Sequence, residues 1–295
     1  PDAARPDGRL FQNAPARTLT VPGSTFATDA AGLRARDAEQ PAPLPRAEAT
    51  DVGQRILFLG DSVTLGWGVD FEDTWIHLLE QESRAPDGRA IEALNAGHLQ
   101  YNTIQEVDWF LARGVHFEPD VVVLTAVVND LDDSFALYQA FAADQARLLA
   151  EGPTATERWM GRVDVWAPGL LGLWNHHREQ NPPASDAPAL PIAERPQYLE
   201  QWPLAAAALD RLLAGCNAIG ARLIVFDHTT PRLPGYQEWC EANDVPWHDF
   251  TFTPAEWAEP IRNSAADAHA NPNGHRMLKE KASAALAQDG AILRP

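Results

Sequence analysis

Ile56-Leu57-Phe58-Leu59-Gly60-Asp61-Ser62 is the stretch on which the fold turns. Four consecutive apolar residues suit a strand covered on both faces, and Gly60 lets the backbone turn sharply where that strand ends. The segment 62–67 then begins a helix, so Ser62 stands beside the free N–H groups of a helix N-terminus. Open α/β sheets keep their chemistry at the carboxyl ends of strands, which makes Ser62 a candidate nucleophile. Standing alone, the same serine reads first as a helix N-cap.

Further strand-like runs lie at 55–59, 90–94, 119–125, 221–227 and 245–249. Between them, apolar residues recur at periods near 3.6: Trp75, Leu78 and Leu79; Ile104, Val107 and Phe110; Leu209, Leu212 and Leu213. Strands alternating with helices predict a parallel sheet sandwiched between two helical layers.

A second signal lies far away at Asp267-Ala268-His269-Ala270-Asn271-Pro272-Asn273-Gly274-His275. A serine hydroxyl is a poor nucleophile until an imidazole takes its proton, and the imidazole needs a carboxylate to fix its tautomer. Asp267 and His269 are near enough in sequence to supply both from one loop. By itself the segment also reads as a capped turn with a solvated histidine.

Together these segments resemble the GDSL/SGNH hydrolase superfamily. Gly60-Asp61-Ser62 matches its first block and Asp267-Ala268-His269 its last, in the chain order Ser, Asp, His. Val127-Val128-Asn129-Asp130, following the run Val121-Val122-Val123-Leu124, resembles the G-x-N-D block whose Asn donates to an oxyanion. Asn95-Ala96-Gly97-His98-Leu99-Gln100-Tyr101-Asn102-Thr103 resembles the second block, N-x-G-x-x-G-x-x-T, which gives a backbone N–H. The resemblance implies a three-layer α/β/α, flavodoxin-like fold with a five-stranded parallel sheet. It also implies a triad of Ser62, Asp267 and His269, and an oxyanion hole from the Ser62 and Gln100 backbone N–H groups and the Asn129 side chain.

The chain departs from the pattern in three places. Gln100 stands where the second-block glycine is expected, which crowds the donor and makes a positive φ costly, and Gly97 is the rival donor. Val127 replaces the glycine of G-x-N-D. One residue separates Asp267 from His269 where the family often has two.

With 295 residues and 45% hydrophobic content, and no apolar run of about 18 residues, the chain reads as globular with no transmembrane segment. Its net charge of −18, with Lys279 and Lys281 the only lysines, argues against a grip on nucleic acid or anionic headgroups. Cys216 and Cys240 fall in helical segments flanking the run Leu223-Ile224-Val225-Phe226 and read as two buried thiols or an inter-helix disulfide. No C-x-x-C or H-E-x-x-H spacing occurs, so no metal or other cofactor is expected. The adjacent pair His176-His177 cannot face one ion from a helix, and His228, His248 and His275 read as structural histidines.

Residues 1–50 read as an N-terminal extended arm and 51–295 as the hydrolase domain, with an insertion at about 132–203 that is too long for an ordinary connection. Within the arm, Thr28-Asp29-Ala30-Ala31-Gly32-Leu33-Arg34 resembles the T-N-x-x-G-L-R arm of a membrane-anchored branch of the superfamily. That resemblance implies an extracytoplasmic location, periplasmic or secreted, against the plainer reading of a Pro- and Ala-rich linker, and the start at Pro1 rather than methionine is read as an upstream segment removed. The insertion carries Trp159, Trp166 and Trp174 and follows directly on Asn129-Asp130, so it reads either as a lid or acyl-binding wall or as aromatic packing. The expected activity is hydrolysis of carboxylic esters, with acylated small molecules, carbohydrates or lipids as substrates. The alternatives are an acyltransferase using the same triad and a non-catalytic acyl-glycan-binding relative. Oligomeric state is not encoded in any of these patterns.

Overall fold

The computed structural model describes residues 12–21, 24–131, 196–264 and 267–294. Three short strands come first, β1 (Arg17–Val21), β2 (Ser24–Thr28) and β3 (Arg34–Ala35), forming a small antiparallel sheet. The main sheet comprises β4 (Val52–Gly60), β5 (Ala90–Gly97), β6 (Val121–Ala126), β7 (Arg222–Asp227) and β8 (Trp247–Asp249). All its pairings are parallel, in the spatial order β5-β4-β6-β7-β8. The first strand thus has the second on one side and the third on the other, which is the flavodoxin-like order. Connections leave β4 and β6 in opposite directions, and a crevice opens beyond their carboxyl ends.

The helices that matter for the site are α1 (Ser62–Leu65), α2 (Trp75–Glu82), α3 (Thr103–Ala112), α4 (Pro196–Ile219), α5 (Tyr236–Ala242), α6 (Pro254–Trp257) and α7 (Pro272–Gln288). Strand side chains alternate between faces, so each apolar run feeds two cores. Leu57, Leu59, Val122, Leu124 and Val225 pack with Val107, Phe110, Leu209, Leu212 and Tyr236 from α3, α4 and α5. Ile56, Phe58, Val121, Val123, Ile224 and Phe226 pack on the other face with Trp75, Leu79, Leu278 and Leu286 from α2 and α7. The expected three-layer α/β/α architecture is therefore the observed one. It explains why the strands read as unbroken apolar runs rather than alternating ones. Phe58 is fully buried with its ring 5.1 Å from that of Trp75, and truncating it to alanine should cost about 3–5 kcal/mol.

The described residues between 12 and 50 lie on the body. Arg34 Nη2 donates to Val69 O at 2.9 Å, the Thr25 N–H to Asp70 Oδ1 at 2.7 Å, and Asn13 Nδ2 to Gly97 O at 3.0 Å. The motif 28–34 forms a turn in which Asp29 Oδ1 accepts the Ala31 and Leu33 N–H groups, and Leu33 joins the core. Buried Arg55 on β4 reaches out to Leu44 O at 2.7 Å and pairs with Glu92 at 2.6 Å, which fastens the arm's far end.

The insertion expected at 132–203 is described only from residue 196, where it forms the start of α4. The Trp159 to Trp174 segment and His176-His177 lie outside the described residues. Cys216 and Cys240 are free and buried rather than bridged, and burial pushes both thiols up to about 12. Among the described residues no helix is long and apolar enough to cross a membrane.

Candidate active site

Gly60 closes β4 at a φ of 155°, and a Cβ there would sit 2.1 Å from Thr64 Oγ1, so only glycine lets α1 fold back so closely on its strand. Asp61 caps the turn, its Oδ1 accepting the Val63 N–H at 2.9 Å. Ser62 is the first residue of α1, and its N–H has no intrahelical acceptor. The helix is shorter than the 62–67 expected, because Gly66 takes the left-handed conformation at φ 77° and ends it.

His269 Nε2 lies 2.9 Å from Ser62 Oγ, and His269 Nδ1 lies 2.6 Å from Asp267 Oδ1. A carboxylate oxygen only accepts, so Nδ1 carries the proton and Nε2 presents a lone pair to the hydroxyl. The short spacing between Asp267 and His269 is accommodated because one oxygen, Asp267 Oδ1, also accepts the His269 backbone N–H at 3.0 Å. Asn263 holds the loop from below: its side chain donates to Asp267 Oδ2 at 3.2 Å and to Trp67 O at 3.3 Å, and its N–H to His269 O at 2.9 Å. Asn271 caps α7 through the Asn273 and Gly274 N–H groups and ties back to Pro260 O and Arg262 O.

Ser62, Asp267 and His269 border a cleft of about 710 Å³ that is also lined by Asn129, Trp67, His228, Phe252, Trp257 and Arg262. Asn129 reaches it from the single 3₁₀ turn Val128–Leu131 that follows β6. The crevice between β4 and β6 thus holds both the serine and the Asn129 side chain. Gln100 does not line that cleft. It sits on the loop after β5 at a φ of 61°, so the glycine-like conformation of the second block persists with a side chain on it. Gly97, the rival donor, has its N–H taken by Asn95 Oδ1 at 3.0 Å.

Beneath the cleft lie two buried carboxyls, Glu106 on α3 and Asp130 on the 3₁₀ turn. Thr103 Oγ1 donates to Asp130 Oδ2 at 3.0 Å, and Tyr236 OH does so at 3.3 Å. The contact ties the turn bearing Asn129 to the N-terminus of α3, three residues beyond Gln100. Burial holds both carboxyls well above the usual carboxylate range, reinforced at Glu106 by the charges of Asp130 and Asp61 and at Asp130 by that of Asp61.

Burial favours the neutral form of His98, His228 and His275. Burial lowers His275 to about 3, and its Nδ1 accepts the Trp75 N–H at 3.2 Å. Burial lowers His98 to about 4 and also lowers His228, whose Nδ1–H donates to Phe250 O at 2.8 Å. His228 and His275 nonetheless edge the cleft, whereas His248 is turned away onto Asp289 at 2.8 Å. Sequence reasoning did not single out Asp61, whose Oδ2 lies 3.0 Å from Ser62 Oγ, although its place between Gly60 and Ser62 was a cue. It also passed over Trp67, Phe252, Trp257 and Arg262, which come from connecting segments without periodicity.

Family models give no match to this chain. Searching curated proteins likewise gives none. Solved structures similar to it include the psychrotrophic esterase EstA from Pseudoalteromonas sp., at 12% identity and a TM-score of 0.48, over 80% of this chain and 97% of that one. A GDSL-like lipase from Bacteroides thetaiotaomicron is similar at 11% identity and a TM-score of 0.43, over 84% and 93% of the two chains. Axe2, an acetylxylan esterase from Geobacillus stearothermophilus, is similar at 11% and 0.43, over 80% and 94%. On this flavodoxin-like sheet the segments that carry Ser62, Asn129 and Asp267-Ala268-His269 border one cleft, in the chain order the sequence resemblance implies.

Proposed function

We propose that this chain is a serine hydrolase that cleaves carboxylic esters through an acyl-enzyme. The observation that carries the reading is the hydrogen-bonded file from Asp267 Oδ1 through His269 to Ser62 Oγ, at 2.6 and 2.9 Å. Ser62 Oγ attacks the ester carbonyl while its proton passes to His269 Nε2, and Asp267 stabilises the imidazolium that forms. The carbonyl oxygen becomes an oxyanion, for which the donors at the cleft are the Ser62 N–H and the Asn129 side-chain amide, with the Gln100 N–H, outside the cleft lining, the third donor that the block resemblance implies. His269 then returns the proton to the departing alkoxide. Water, deprotonated by the same imidazole, releases the acid and restores the serine.

Labelling with a fluorophosphonate and turnover of p-nitrophenyl esters test this directly, because only an activated serine reacts rapidly. Covalent labelling at Ser62, lost in Ser62→Ala together with ester turnover, is the expected result. A Ser62→Ala protein that still hydrolyses esters at the wild-type rate would overturn it.

A further inference from the structure

One cation in the cleft has no role in the chemistry of Ser62. Arg262 lines the same cleft as Ser62 and His269, and its guanidinium carbon lies 4.6 Å from the centroid of the Trp257 ring. Its backbone is fixed beside the histidine loop, with Arg262 paired to Ala270 in an antiparallel bridge and Arg262 O accepting Asn271 Nδ2 at 2.9 Å. The preceding residue, Ile261, is buried in the core. Among the described residues Arg262 is in no ion pair, and its guanidinium makes no hydrogen bond.

The carboxylates at the same wall are already engaged. Asp61 accepts from Val63 N–H and faces the Ser62 hydroxyl, while Asp267 accepts from His269 and Asn263. Burial keeps His228 and His275 neutral, so Arg262 is the one permanent cation among the described residues that line the cleft. Stacking covers one face of the guanidinium and leaves its N–H edge free. That edge matches a carboxylate through two parallel hydrogen bonds. Trp67, Phe252 and Trp257 offer apolar surface for the rest of the molecule.

We propose that Arg262, stacked on Trp257, selects esters that carry a carboxylate away from the scissile bond, so that the substrate class of this site is an anionic ester. This rests on Ser62 being the nucleophile. The carboxylate has two possible sources, the acyl group or the alcohol, and two matched pairs of substrates separate them. p-Nitrophenyl hemisuccinate against p-nitrophenyl butyrate reports the acyl side. para-Acetoxybenzoate against its methyl ester reports the alcohol side.

Wild-type protein should favour the carboxylate member of one pair in kcat/KM. Arg262→Gln should lower that value by about 10- to 100-fold, the range for losing a charged hydrogen-bonded partner, with the neutral member within about 2-fold. Arg262→Lys should recover part of the loss. Salt should weaken only the carboxylate-bearing reaction. Absence of a carboxylate preference in both pairs, or an equal effect of Arg262→Gln on charged and neutral members, overturns the proposal while fluorophosphonate labelling of Ser62 still succeeds. Failure of labelling together with failure to hydrolyse any of the four esters overturns the Ser62 reading, and this proposal with it.

Discussion

Asp61 Oδ2 lies 3.0 Å from Ser62 Oγ while its Oδ1 accepts the Val63 N–H, and His269 Nε2 lies 2.9 Å from the same Ser62 oxygen. One hydroxyl proton therefore faces two acceptors, and only one of them leads to an activated nucleophile. Asp61→Asn keeps Oδ1 as the acceptor for the Val63 N–H and turns an N–H donor toward Ser62 Oγ, which leaves the hydroxyl proton to His269. Its kcat/KM for a neutral ester should stay within about 3-fold of wild type, since no oxyanion donor is lost. Asp61→Ala should instead lose about 1 kcal/mol of stability with the cap, read by denaturant unfolding. A loss of activity in Asp61→Asn as large as in Ser62→Ala would show that the carboxylate charge itself takes part.

Removal of the proposed nucleophile is the severest change expected. Ser62→Ala should lower kcat on the order of 10⁶-fold with the melting temperature retained. Asp267→Asn should cost about 10²- to 10⁴-fold, because His269 keeps its reach to Ser62 but loses the acceptor that fixes its tautomer. Single-turnover kinetics on p-nitrophenyl acetate compare the two.

Glu106 and Asp130 tie stability to pH. Both are raised in the folded protein by burial, so between the ordinary carboxylate range and their raised values the unfolded chain has released protons that the folded protein still holds. Stability from this pair is complete below the ordinary carboxylate range and is lost as pH rises through the raised values. Among the described residues neither Glu106 side-chain oxygen has a hydrogen-bond partner, so Glu106→Gln removes the burden of burying a titrating group. The melting temperature of Glu106→Gln relative to wild type should rise from pH 4 to pH 9, by about 2–4 °C for each kcal/mol relieved. A difference independent of pH would mean that Glu106 is ionised in the fold.

Gln100 and Asn129 separate a main-chain from a side-chain donor. Gln100→Ala should keep most activity, because any contribution from this residue is its backbone N–H, whereas Asn129→Ala should lose about 10²- to 10³-fold in kcat. Equal damage from both would point to the Gln100 side chain as a substrate contact. Loss from neither would move the oxyanion donors elsewhere.

The sequence by itself determined the architecture, because hydrophobic period is a local property. The unbroken runs 56–59, 121–124 and 223–226 can only be strands covered on both faces, and the helical periods between them supply both covers. Ser62, Asn129, Asp267 and His269 could be picked out as candidates in the same way, since each follows a strand or precedes a helix within a recognisable block. Only the tertiary structure decided how they are used. Ser62 and His269 are separated by 207 residues, and the register of the parallel strands together with the Asn263 and Asn271 hydrogen bonds brings them within 2.9 Å. The second acceptor at Asp61, the stacking of Arg262 on Trp257 and the link from Thr103 to Asp130 were invisible beforehand. Each depends on the path of a connecting segment or on two elements meeting across the cleft, and no local periodicity encodes such a meeting.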